Sequence, residues 1–242
     1  MTGLLQHALG DDWARLPPAL RLHYSPGVSR DVGHMDIEYP RGMQPVLWLL
    51  ARLGALVSRR GQAVSTTVEK SVVGARMHWH RTLRYADGRV QRFNSVWEAG
   101  PNGHLIEFVN PWLGLQMQPR VVGRQLHYRG VRFVCRVGGR MLGIPEWMVL
   151  GHTTIVETAL DDQHFAMDFR MTHPILGQLF RYAGQFRAEA LWGDAGDLGG
   201  PESGGDGPVP DRAAPAGATQ KRSGTSASAS KTTPSSPRPA AS

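Results

Sequence analysis

The chain has 242 residues, 41% of them apolar, and a net charge of +7, enough for one packed domain or two. Its one cysteine, Cys135, excludes an intramolecular disulfide and any cysteine-based zinc site. The longest apolar stretch, Pro45 to Val57, is interrupted by Arg52 and Gly54 and is too short for a transmembrane helix. His7, Asp11 and Asp12 stand where a signal peptide would need a basic start and an apolar run. The pattern predicts a soluble, cytoplasmic protein.

Composition shifts after residue 192. From Gly193 to Ser242 there is no aromatic residue, and Leu198 and Val209 are the only large aliphatics. Such a segment cannot bury enough apolar surface to offset the entropy of ordering its backbone. Residues 193–242 are therefore predicted to be a disordered tail on one folded domain, residues 1–190. Acids and bases balance in the tail, so the excess positive charge belongs to the domain, where Lys70 is the sole lysine.

Leu4, Leu5, Ala8, Leu9 and Trp13 recur at helical spacing, and Pro17-Pro18 ends that helix or begins a second short one through Leu20 and Leu22. A strand follows, with Gly33, Met35, Ile37 and Tyr39 on one face. The spacing then predicts one long helix, Met43 to Ser58, with Pro45 in its first turn and Gly61 as its stop. From Gln62 the period becomes two. Met77, Trp79, Leu83 and Tyr85 share a face, Ala86-Asp87-Gly88 turns the chain, and Val90 to Glu98 returns as a hairpin. Leu126 and Tyr128 are out of phase with Val131, Phe133, Cys135 and Val137, so a bulge or bend is expected at Gly130. Further strands carry Phe165, Met167, Phe169 and Met171, then Phe180, Tyr182, Gly184 and Phe186. The fold class is mainly β (α+β): a strongly curved antiparallel sheet or barrel of about 9–10 strands, with an N-terminal helix and one long helix packed on it.

Several stretches, in this order, resemble a bacterial family known as domain of unknown function 4166. They are Asp12-Trp13-Ala14-Arg15-Leu16-Pro17, Trp79-His80-Arg81, Gly143-Ile144-Pro145 before Glu146-Trp147-Met148, and His173-Pro174-Ile175-Leu176-Gly177 leading to Arg181-Tyr182-Ala183-Gly184. The resemblance spans about residues 4 to 188. It implies a partner, because such domains are often fused to a saccharopine-dehydrogenase-like NAD-binding domain. This chain has no glycine-rich fingerprint after a strand, so that partner would be a separate protein. The resemblance supplies no catalytic residues.

Chemistry must then be sought in individual side chains. Arg81 shares the face of Trp79 and Tyr85, and a buried arginine needs a partner. Glu107 and Glu157, each among apolar neighbours, are the candidates. Trp79, Arg81, Tyr85, Glu107 and Glu157 are accordingly the expected ligand-binding residues, unless Arg81 sits at a rim and extends outward. His78 and His80 point to one side of their strand, but beside Arg76, Thr82 and Arg84, as on a solvated face. No serine elbow is present, and no catalytic residue, metal ligand or cofactor is assigned. No acidic residue occurs between Glu107 and Glu146, an interval holding Arg120, Arg124, Arg129, Arg132, Arg136 and Arg140. Two loops flank it, Pro111-Trp112-Leu113 and Glu146-Trp147-Met148. That composition suits either an ordinary solvated face with Trp112 and Trp147 packed in the core or an anionic membrane surface. It does not suit nucleic acid, because aromatic and basic residues are not interleaved as stacking platforms require. The leading expectation is an uncharacterised small-molecule binding domain for a lipid-like or aromatic ligand. One alternative is an enzyme or accessory domain working with a separate NAD(P)-dependent saccharopine-dehydrogenase-like oxidoreductase. The other is a peripheral binder of anionic membranes.

Overall fold

The computed structural model describes residues 3–192; the tail expected over 193–242 lies outside the described residues. Two short helices open the chain, α1 (Leu4–Leu9) and α2 (Pro18–Tyr24), joined by a 3₁₀ segment, Gly10–Arg15. Pro18 occupies the first turn of α2, where a missing N–H costs nothing.

Eleven strands follow: β1 (Val28–Glu38), β2 (Gly61–Val73), β3 (Arg76–Arg84), β4 (Val90–Ala99), β5 (Leu105–Phe108), β6 (Leu113–Val122), β7 (Gln125–Val137), β8 (Arg140–Ile144), β9 (His152–Ala159), β10 (His164–His173) and β11 (Gly177–Trp192). Their order is β6-β5-β4-β3-β2-β1-β11-β10-β9-β7, and β6 also pairs with β7, so ten strands close into an antiparallel barrel. β8 pairs only with the upper part of β7 and lies outside the closure. Closure leaves no free edge among the ten. It follows from the two-residue rhythm, which gives most strands one apolar face; β5 is buried on both, its Ile106 and Phe108 clustering with Val134 apart from the main core. Met77, Trp79 and Leu83 on β3, Leu126 and Tyr128 on β7, and Phe165, Phe169 and Met171 on β10 all enter one core.

The sequence misplaced one boundary. The helix expected from Met43 to Ser58 is α3, only Gln44–Arg52. Gly54 ends it with φ 71°. The Gly54 N–H donates to Ala51 O and the Ala55 N–H to Leu50 O, the crossed pair that closes a helix when a left-handed residue follows it. The next residues run inward, burying Leu56 and Val57.

The bulge falls where the phase change placed it. Pairing of β6 with β7 shifts between Gln116, opposite Arg132, and Met117, opposite Gly130. Val131 is left over and exposed. Above it, Phe133 packs against the core while Val137 is exposed, so the expectation of one continuous inward face from Val131 to Val137 fails. The cause is that β7 leaves the barrel there to pair with β8.

Because neighbouring strands alternate in direction, all connections fall at two ends of the barrel. α1 and α2 lie at one end, which we call the base. The α3 segment and the loops at 85–89, 109–112, 138–151 and 174–176 lie at the other, the mouth. Asn110 Nδ2 donates to Leu53 O at 2.7 Å, and Tyr39 OH donates to Ser58 O at 2.7 Å, fixing the α3 segment to the mouth.

Candidate functional site

The interior holds two connected spaces. The inner chamber, about 50 Å³, is the polar one. The outer chamber, about 120 Å³, lies towards the mouth and is walled by apolar side chains such as Leu50, Leu115, Phe133, Leu150 and Phe169. Leu56, Phe93, Glu107 and Tyr182 border both.

The polarity of the inner chamber comes from α2 and from strand positions where alternation turns a polar residue inward. α2 plugs the base and presents His23 and Tyr24, both buried. Lys70 on β2 holds the plug. It is 1% exposed, and its ammonium donates to His23 O at 2.9 Å and to Ser25 O. Burial brings its pKa down to about 8, partly opposed by the Asp31 carboxylate. His23 Nδ1 lies 2.7 Å from Asp31 Oδ2, an arrangement that fixes the ring and directs Nε2 to the side where Glu157 Oε1 stands 4.0 Å away. Tyr24 OH donates to the same oxygen at 2.9 Å.

On the opposite wall Arg81 lies inside the barrel. Its guanidinium donates to Ser95 Oγ at 2.8 Å and to Glu107 Oε1 at 3.1 Å, and Ser95 Oγ donates to that carboxylate at 2.6 Å. Phe93 takes the cation on its ring face, 5.1 Å from the centroid. Arg81 is therefore anchored by a carboxylate, a hydroxyl and an aromatic face rather than extended into solvent.

Several polar atoms of residues lining the inner chamber have no hydrogen-bond partner in the protein: Trp79 Nε1, Trp97 Nε1, Asp31 Oδ1 and Glu157 Oε2. Buried groups are ordinarily paired, and four such atoms on residues lining one chamber, two indole donors and two carboxyl oxygens, mark it as a candidate site. Burial sets the protonation. It pushes the Glu157 carboxyl up, against the pull of His23 and the Tyr24 hydrogen bond. It pushes the Tyr24 and Tyr128 phenols well up, Glu157 adding to both.

Of the five residues expected at a ligand site, Trp79, Arg81, Glu107 and Glu157 line this chamber. Tyr85 stands apart, its OH donating to Arg59 O at 3.1 Å, with burial pushing its pKa up to about 12. The sequence reading missed His23, Tyr24, Asp31, Ser95, Trp97 and Tyr128. His78 and His80 fall on the outer side of β3, beside Arg76 and Asn94. Among the described residues no three His, Cys, Asp or Glu side chains converge as metal ligands. A larger concavity, about 1130 Å³, is an open saddle across the outer faces of β1, β11, β10 and β9. Within it Asp168 pairs with Arg170 and Arg181.

A family model described as "Domain of unknown function (DUF4166)" matches residues 16–186, a range containing every residue of both chambers. It says nothing of a dehydrogenase partner. No curated protein matches the sequence. A solved structure titled "REP1-NXSQ fatty acid transporter" aligns over 69% of this chain and 97% of its own, at 7% identity and a TM-score of 0.30. The "Dehydratase domain (DH) of a mycocerosic acid synthase-like (MAS-like) PKS" aligns over 66% and 75%, at 9% identity and a TM-score of 0.16. At those scores neither likeness carries an argument for this chain.

Proposed function

Since the chain belongs to the DUF4166 family, whose description names no activity, its function has to be read from the barrel interior, and we propose that it binds one small apolar molecule with an oxygen-bearing end. The observation that carries this is the placing of unpartnered donors, Trp79 Nε1 and Trp97 Nε1, beside the Tyr128 phenol at the inner end of a space whose outer part is apolar. A carbonyl, carboxyl or hydroxyl oxygen would satisfy them, and the hydrocarbon part would lie among Leu56, Phe133 and Phe169. Volume limits the choice. An apolar cavity of about 150 Å³ holds a benzene-sized guest, so the outer chamber of about 120 Å³ takes an aromatic ring or a short chain only with a small outward shift of its wall, and the inner one of about 50 Å³ takes the oxygen-bearing end. A longer, lipid-like ligand must displace Leu50 or Leu56 towards the mouth.

Native mass spectrometry of protein purified without denaturation tests the reading, followed by titration with a phenol and a fatty-acid series read through tryptophan fluorescence. A bound mass, or saturable quenching lost in Trp97→Phe/Tyr128→Phe, is the expected result. Protein that emerges unliganded and ignores both series would overturn it.

A further inference from the structure

The loops at the mouth carry large apolar side chains that are largely exposed. Trp48 and Leu49 on α3 are 56% and 55% exposed. Trp112 is exposed on the next loop, and Trp147 and Met148 on the turn after β8. Ile175 and Leu176, between β10 and β11, are 85% and 67% exposed. These tips form a connected arc. Asn110 ties the second loop to the end of α3. The Arg136 N–H donates to Trp112 O at 2.7 Å, joining that loop to β7 and so to β8. Gly151 abuts His173, which places the Trp147 turn against the Ile175 loop. At the base the exposed large apolar residues are Val28, Val72, Val73, Val122 and Leu160, none of them aromatic.

Charge divides the same way. Arg41, Arg52, Arg60, Arg89 and Arg140 belong to the mouth segments. The two acids there are committed: Asp87 to Arg59 at 2.7 Å, and Glu146, buried behind β7. Arg52 lies over the Trp48 ring at 4.4 Å, pairing a cation with an aromatic at the rim. Loops and helices at the base carry Asp11, Asp12, Asp161 and Asp162 against Arg15, Arg21 and Arg124, close to balance. The run of arginines from 120 to 140 does not make this surface by itself. Arg120 and Arg124 are at the base, and only Arg136 and Arg140 reach the mouth.

We infer that the mouth is a docking surface for an anionic lipid bilayer, with Trp48, Trp112, Trp147 and Ile175 entering the headgroup–acyl boundary and the arginines meeting lipid phosphates. Apolar tips on separate loops under a basic rim suit a soft, negatively charged surface. A second copy of the chain fits poorly, because two-fold pairing of this end would set arginine against arginine. The inference rests on the surface alone and is independent of what the interior binds.

Flotation of the full chain tests it, using vesicles of phosphatidylcholine alone and of equimolar phosphatidylcholine and phosphatidylglycerol. Binding to the anionic vesicles only is expected. The Trp147→Ser/Ile175→Ser/Leu176→Ser variant should lose about tenfold in affinity with an unchanged melting temperature, and Arg120→Ser/Arg124→Ser should bind as the parent does. No flotation with either vesicle would overturn the inference. So would loss of binding in the Arg120/Arg124 variant with the triple variant intact, or a dimer in light scattering that the triple variant dissolves.

Discussion

Tyr24 OH donates to Glu157 Oε1 at 2.9 Å, joining residues 133 positions apart. The bond ties the α2 plug to β9 at the middle of the barrel. It also gives the plug a thermodynamic handle, because the acceptor is a carboxyl whose pKa burial pushes up. A carboxyl with a raised folded-state pKa favours the folded form at low pH. That contribution is complete below its ordinary value of 4.5 and is lost as pH climbs through the raised one. Glu157→Gln keeps the shape and removes the ionisation. Urea denaturation of parent and variant across that range should show the variant gaining relative stability as pH rises. Tyr24→Phe, which deprives Glu157 of its donor, should cost about 1–3 kcal/mol at neutral pH. A pH-independent difference between parent and Glu157→Gln would contradict the raised pKa.

Arg81, Ser95 and Glu107 form a closed triad whose side chains are almost out of water, 15% exposed for Arg81 and 11% for Glu107. Removing one charge strands the other. Arg81→Met should cost about 3 kcal/mol, while Arg81→Met/Glu107→Leu, which removes both charges, should recover most of it. Chemical denaturation of the double-mutant cycle measures the coupling. Additive losses would mean that the pair is held by its surroundings rather than by each other.

How far all this could be read from the chain depends on which residues obey a local rule. Alternation on β3 placed Trp79 and Arg81 inside, and apolar neighbours marked Glu107 and Glu157. The same rule reaches further than it was taken. Asp31 shares the parity of Met35 and Ile37 on β1, and Lys70 that of Val64, Thr66 and Val68 on β2; all of these are buried. Extending each face by a few residues would have found both. His23 and Tyr24 offered no such clue. α2 has seven residues, and its burial is decided by barrel closure, which no local pattern encodes. The overlong helix has a plainer cause. Apolar spacing continues through Leu53, Leu56 and Val57, but the latter two are buried as an extended segment under the mouth, and Gly54 had already marked the break.

Gly130 makes a separate structural prediction. A Cβ there would overlap the Glu146 carboxylate, which accepts from the Thr153 N–H at 3.1 Å. The glycine therefore serves both the β7 bulge and the seat of a buried acid. Gly130→Ala should destabilise by about 1–3 kcal/mol through overpacking. The loss should shrink in a Glu146→Ala background, where the methyl has room. Thermal melts of the four proteins give the comparison, and an unchanged loss in that background would place the cost in the backbone of the bulge.

Lys70 allows the sharpest test of the plug. Its ammonium is the donor for His23 O and Ser25 O at the end of α2, yet burial depresses its pKa from 10.5 to about 8. A lysine with a depressed folded-state pKa contributes stability that is present above its unfolded value and is lost as pH falls through the folded one. Between pH 8 and 10.5 the unfolded chain holds the extra proton, so this residue should make the fold firmer as pH rises across that window. At about 1.4 kcal/mol per pKa unit the full swing is on the order of 3 kcal/mol. Lys70→Met removes the swing and leaves two carbonyls unpaired, so it should be less stable than the parent throughout, and increasingly so as pH climbs. Urea denaturation of both proteins at pH 7.5 and pH 10 reads the difference directly. A gap that stays constant would mean that Lys70 is not desolvated, and with that the plug would lose its titrating anchor.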